Sequence, residues 1–80
     1  MATKSDLIDW VRDALSSNGG AGTIIFVAGH IWANHEQELR NSGPLFFTWQ
    51  YDMRWAATNL RKRGLMVSAE NDRRGKWTLR

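Results

Sequence analysis

Arg54, Arg61 and Lys62 recur at seven- and eight-residue spacing, and at about 100° per residue they gather on one face of a helix. Arg73, Arg74 and Lys76 follow around Gly75, in a stretch that reads as a turn and the strand after it. Arginine bonds guanine in a two-pronged fashion in the major groove, and both cations pair with phosphates. Gln50 falls near the start of the same helix, where side chains of a groove-entering helix reach bases first, and a glutamine there can read adenine. Tyr51 and Thr58 share the outer face with the cations. A plain alternative is a basic helix end opposing the negative dipole terminus. It accounts for Arg61, Lys62 and Arg63 but not for Arg54, one helical turn and more upstream. Arg73 and Arg74 at a turn tip suit a phosphate grip; the plain alternative is a solubilised hairpin tip.

Other chemistries find little purchase. His30 and His35 are five residues apart, about 140° around a helix, which is not the four-residue spacing of a helical metal pair. Glu36 with Glu38, or Asp6 with Asp9 and Asp13, offer carboxylates for acid–base work, but a solvated helix face explains them better. No serine sits in a nucleophile elbow. The glycines between 19 and 22 lack the Lys-Ser/Thr of a phosphate loop. The expectation is a binding protein and not an enzyme, with no metal and no cofactor.

Eighty residues bound this reading to a single domain, 1–80, near the lower size limit for a core without staples. With no cysteine, disulfides and thiolate metal sites are excluded, which fits a reducing compartment. No run of apolar residues is long enough for a membrane span, and the opening Met-Ala-Thr-Lys-Ser-Asp has no apolar stretch behind it, so neither an anchor nor a leader is expected. The expected location is cytoplasmic. Charge is divided unevenly. Residues 1–47 hold three Lys/Arg against five Asp/Glu, and residues 48–80 hold eight against three, so −2 and +5 make up the net +3. Clustered positive charge points to a nucleic-acid partner.

The elements that must position these residues follow from pattern. Ser5 or Asp6 can cap a first helix running to about Ser17, with Leu7, Val11, Ala14 and Leu15 at helical spacing and Ile8 and Trp10 widening the stripe. Glycines at 19, 20 and 22 break it. Thr23-Ile24 is a very short strand or the entry to a second helix over 25–40, whose inner side is Ala28, Ile31, Trp32, His35 and Leu39. Residues 41–44 are a turn and Leu45-Phe46-Phe47 an apolar connector that must be buried. Thr48 is a suitable N-cap for a third helix over 49–63, with Trp49, Met53, Ala56, Ala57 and Leu60 inward and Gly64 as its stop. Strands over 65–69 and 76–80 then form a hairpin, with Leu65, Val67, Trp77 and Leu79 facing the core. Trp55 falls on the outer side of the helical wheel; packing under the wing accounts for it better than an exposed patch with Tyr51. Trp10, Trp32 and Trp77 are expected in the core. Three helices and a two-stranded hairpin make an α+β, mainly helical, winged helix-turn-helix layout.

The string WAATNLRKRGLM from Trp55 to Met66, followed by RRGKWTLR from Arg73 to Arg80, resembles the N-terminal domain of Mrr-type restriction proteins. The matching positions are Trp55, Ala56, Leu60, Arg61, Lys62, Gly64, Leu65, Arg74, Gly75 and Trp77, so the specific part of the likeness is the last 26 residues. It implies a winged helix that contacts DNA through the third helix and wing. The nuclease domain that follows in that family is not within these residues, so the likeness carries no cleavage over. The expected function is a small double-stranded-DNA-binding protein, regulating transcription or targeting a larger, restriction-related assembly. Gln50, Tyr51, Arg54, Thr58, Arg61, Lys62, Arg73, Arg74 and Lys76 are its contact set. A homodimer or a larger protein partner would supply the specificity that one small module lacks. The alternative is a winged-helix protein–protein module that binds no nucleic acid.

Overall fold

Helix α1 (Asp6–Ser16) buries Leu7, Ile8, Trp10, Val11, Ala14 and Leu15, the stripe its spacing predicts. This computed structural model describes residues 2–80; Met1 lies outside them. Ser5 occupies the N-cap position but makes no side-chain cap bond; instead Asp6 Oδ2 accepts from the Thr3 backbone N–H at 2.9 Å. The helix closes on Gly19 and Gly20, both at positive φ, and Gly20 N–H bonds the Leu15 carbonyl at 2.8 Å.

A three-residue strand, β1 (Ala21–Thr23), precedes α2 (Ile24–Arg40). The short strand is therefore present, placed so that Ile24 already belongs to the helix. Thr23 Oγ1 accepts from Phe26 N–H at 3.0 Å, the side-chain cap a strand-to-helix junction needs. The helix is interrupted at His35, whose φ of −133° is not helical. Its buried residues are Val27, Ile31 and Leu39, while Ala28, Trp32 and His35 are only half-buried. Trp32 is thus a groove residue and not the core residue expected.

The third helix begins earlier than its apolar pattern suggests. Helix α3 spans Leu45–Lys62, so Leu45-Phe46-Phe47 is its first turn and not a connector. Pro44 supplies the reason: its fixed backbone angle suits a helix start, and Phe47 N–H bonds its carbonyl at 3.0 Å. Thr48 is accordingly not the cap; its hydroxyl donates to Asp52 Oδ2 at 2.8 Å, one turn on. Leu45 is buried, but Phe47 points to solvent. At the other end Gly64 has φ +75°, Gly64 N–H bonds the Arg61 carbonyl and Leu65 N–H bonds that of Leu60. That pair of bonds closes the helix in the manner expected of a glycine stop.

After Gly64 the expected strand over 65–69 shrinks to one bridge, Met66 with Leu79, and Ala69–Asn71 forms a short 3₁₀ turn. The facing is also inverted. Met66 is 2% exposed, whereas Leu65 and Val67 are half-buried and Ala69 is exposed. Register decides this. Met66 sits directly across from Leu79, two residues past buried Trp77, so it shares their face; alternation then turns Leu65 and Val67 aside. Strand β2 (Lys76–Thr78) pairs antiparallel with β1, Gly22 opposite Trp77. The last segment therefore lies between β1 and the Met66 bridge, and the expected two-stranded hairpin gives way to a two-stranded β1–β2 sheet with a bridge on its other edge.

Helix α1 packs on both α2 and α3, and the buried apolar residues form one cluster that includes Trp77 from the sheet. The result is a small, mainly helical α+β domain, three helices and a two-stranded antiparallel sheet, compatible with a winged-helix layout.

Candidate nucleic-acid interface

Gln50, Tyr51, Arg54 and Thr58 form an exposed ridge along α3, opposite the buried row of Trp49, Met53, Ala56, Ala57 and Leu60. The Thr58 hydroxyl donates back to the Arg54 carbonyl at 3.2 Å, so its proton is held by its own helix. Arg54 has no ion-pair partner among the described residues. Lys4 joins this ridge. Its ammonium lies 4.3 Å above the Trp55 ring and 4.0 Å from Asp52, and it lines a recess with Tyr51, Arg54, Trp55 and Thr58. Trp55 is half-buried against the core with this cation over it. Nothing in the sequence near Lys4 marks it; only the packing of α1 against α3 carries it there.

The second cluster surrounds the turn before β2. Gly75, at φ +75°, allows a tight turn in which Lys76 N–H bonds the Arg73 carbonyl at 3.1 Å. The Gly75 carbonyl accepts from Ile24 N–H at 3.2 Å, fastening the turn to the first residue of α2. Arg61 Nε donates to the Val67 carbonyl at 3.2 Å, which ties the end of α3 to the segment behind it. These bonds bring Arg61, Arg73, Arg74 and Lys76 around one recess of about 330 Å³ together with Asp72. Asp72 Oδ1 accepts from Arg73 N–H at 2.8 Å, while its buried Oδ2 has no hydrogen-bond partner. Four cations against one carboxylate leave a concave surface that attracts anions.

Ile24 lines this recess and also the one beside Gln50, Tyr51 and Arg54, so ridge and turn are neighbours across the start of α2. Lys62 is exposed at the end of α3 and lines neither recess. The histidines serve packing: His35 stacks on Trp10 at 3.9 Å and its Nδ1 lies 2.7 Å from Glu38, and His30 Nε2 is 3.2 Å from the Ser17 hydroxyl. Glu36 pairs with Arg40 at 2.7 Å. Sequence reasoning missed the apolar exposure that accompanies Tyr51 of the ridge: Ile25, Phe47 and Tyr51 are 84%, 84% and 78% exposed. Its signal was present: Phe47 precedes Tyr51 by four residues, on the same outer face.

No protein family, curated protein or solved structure matches this chain.

Proposed function

We propose that this domain is a winged helix that binds duplex DNA, with the α3 ridge in the major groove and the turn before β2 on the phosphate backbone. The observation that carries the reading is the convergence of Arg61, Arg73, Arg74 and Lys76 on one recess, fastened to α2 beside the ridge. A solubilising role would ask only that these cations be exposed, not that two segments separated along the chain bring them together. The strand arrangement also supports a winged helix, since the last segment lies between a strand before α2 and the chain leaving α3. So does the resemblance of the segments 55–66 and 73–80 to the Mrr-type N-terminal domain. On this reading Gln50 and Arg54 meet bases, Lys4 and the turn meet phosphates, and the domain regulates or targets without doing chemistry of its own. A reducing, cytoplasmic setting suits its lack of cysteine.

Chemical-shift mapping with a random-sequence duplex tests this assignment. The backbone amides of Gly75 and Lys76 and those of α3 from Gln50 to Thr58 should move together. Shifts confined to α1, or none at low ionic strength, would contradict it.

A second reading, a protein-interaction module that binds no nucleic acid, gains support from the exposure of Tyr51 beside Phe47 and Ile25. Tyr51 keeps its place as an anchor in that reading. Trp55, half-buried beneath Lys4, gives way to Phe47.

A further inference from the structure

The groove between α2 and α3 combines apolar depth, fixed aromatic walls and cationic ends. A recess of about 530 Å³ lies between the two helices, lined by Ala28, Gly29 and Trp32 from α2 and by Phe46 and Trp49 from α3. Trp32 stacks on Trp49 with ring centres 6.0 Å apart, and Phe46 meets Phe47 edge-on at 5.2 Å, so the aromatic wall is braced by its own contacts. The recess continues into the one bounded by Ile24, Tyr51 and Arg54. From Phe46 to Arg54 the groove runs for about 12 Å along α3, roughly two helical turns.

Gly29 is the second observation. A glycine inside a helix is destabilising relative to alanine. Yet a Cβ built at Gly29 would meet nothing within 4 Å, so packing within the fold does not require so small a residue. What its smallness does is keep the groove open.

Charge then selects the occupant. The Arg40 guanidinium, paired with Glu36 at 2.7 Å, lies 5.2 Å from the Trp32 ring centre and 5.8 Å from that of Phe46 at one end of the groove, and Arg54, with no ion-pair partner among the described residues, stands at the other. Among the described residues no carboxylate lines either recess. A second copy of the chain seated groove to groove would bring no carboxylate from the lining of either recess to meet Arg54.

We propose that the α2–α3 groove is the docking site of an acidic amphipathic helix from a partner protein. Its apolar side chains, spaced i, i+4 and i+7, enter between Ala28 and Gly29 of α2 and Trp49 of α3, and its carboxylates reach Arg54 and compete with Glu36 for Arg40. Gln50, Tyr51 and Arg54 border the groove as well as forming the α3 ridge, so the occupant excludes DNA from that ridge. The exclusion rests on the DNA-binding reading; the docking does not.

The test is a selection of helical peptides displayed on phage against the full chain, followed by anisotropy with the enriched peptide. Enriched sequences should be acidic with apolar residues at i, i+4 and i+7. Gly29→Leu fills the groove from a side where nothing crowds it and removes a helix-weakening glycine, so it should keep or raise the melting temperature while weakening the peptide by about tenfold or more. Arg54→Glu should weaken the peptide too, and the wild-type peptide should displace a random duplex. No enrichment, enrichment of neutral or basic sequences, or equal binding by Gly29→Leu would overturn the docking. So would a dimer seen in sedimentation that Gly29→Leu abolishes, which gives the groove to a second copy. Peptide binding without any DNA affinity leaves the docking standing and removes the DNA reading; DNA binding with no peptide selected does the reverse.

Discussion

Single residues separate the ways this chain can use positive charge. Arg73 and Arg74 lie on an exposed turn and touch no base-reading position, so replacing both by alanine should weaken all duplexes about equally. The salt dependence should become shallower by about one unit for each phosphate that is no longer paired. Gln50 and Arg54 sit at the ridge, and either one changed to alanine should shift preference among sequences by about 1–3 kcal/mol if it bonds a base; competition between two duplexes measures this. Arg61 belongs to both classes, because its Nε also holds the Val67 carbonyl. Arg61→Ala should therefore lower stability as well as affinity, and thermal melting beside a DNA titration would show both effects. In the core, Leu60 is fully buried, and Leu60→Ala should cost about 2–5 kcal/mol in a denaturant titration.

At the scale of elements, the pattern of the chain specified α1, most of α2 and the buried face of α3. Those segments are long enough for period to average over several turns, and Leu7, Val11, Met53 and Leu60 all lie where spacing puts them. The errors cluster where one residue overrides the pattern. Pro44 starts α3 a full turn before Thr48, which also turns Phe47 outward instead of burying it. Met66 and Leu79 fix a register that alternation over five residues could not choose, and the face of that segment inverts. Lys4 and the closure of the basic turn onto Ile24 are tertiary facts with no local trace. Two capping sites make the element-level account testable. Thr23→Ala removes the side-chain bond to Phe26 N–H and should cost about 1 kcal/mol. Gly64→Ala meets no steric obstacle, but at φ +75° its cost is backbone strain, about 1–2 kcal/mol, and its melting temperature should fall.

Over the whole molecule, residues 1–47, which build the first two helices and β1, are acidic, and residues 48–80, which build most of α3 and β2, are basic. Folding turns that division along the chain into cationic surfaces gathered at one place: Lys4 and Arg54 on the ridge, Arg61, Arg73, Arg74 and Lys76 at the turn. On the proposed docking, the apolar groove bordering the ridge is the place from which a partner protein would govern access to it. The central claim is that these cations hold phosphates, and the affinity for a random-sequence duplex at two salt concentrations tests it most directly. With about four to six phosphates paired, affinity should fall by about 10²–10³ between roughly 50 and 200 mM salt. An affinity that does not change with salt, or no binding at the lower concentration, would contradict the account.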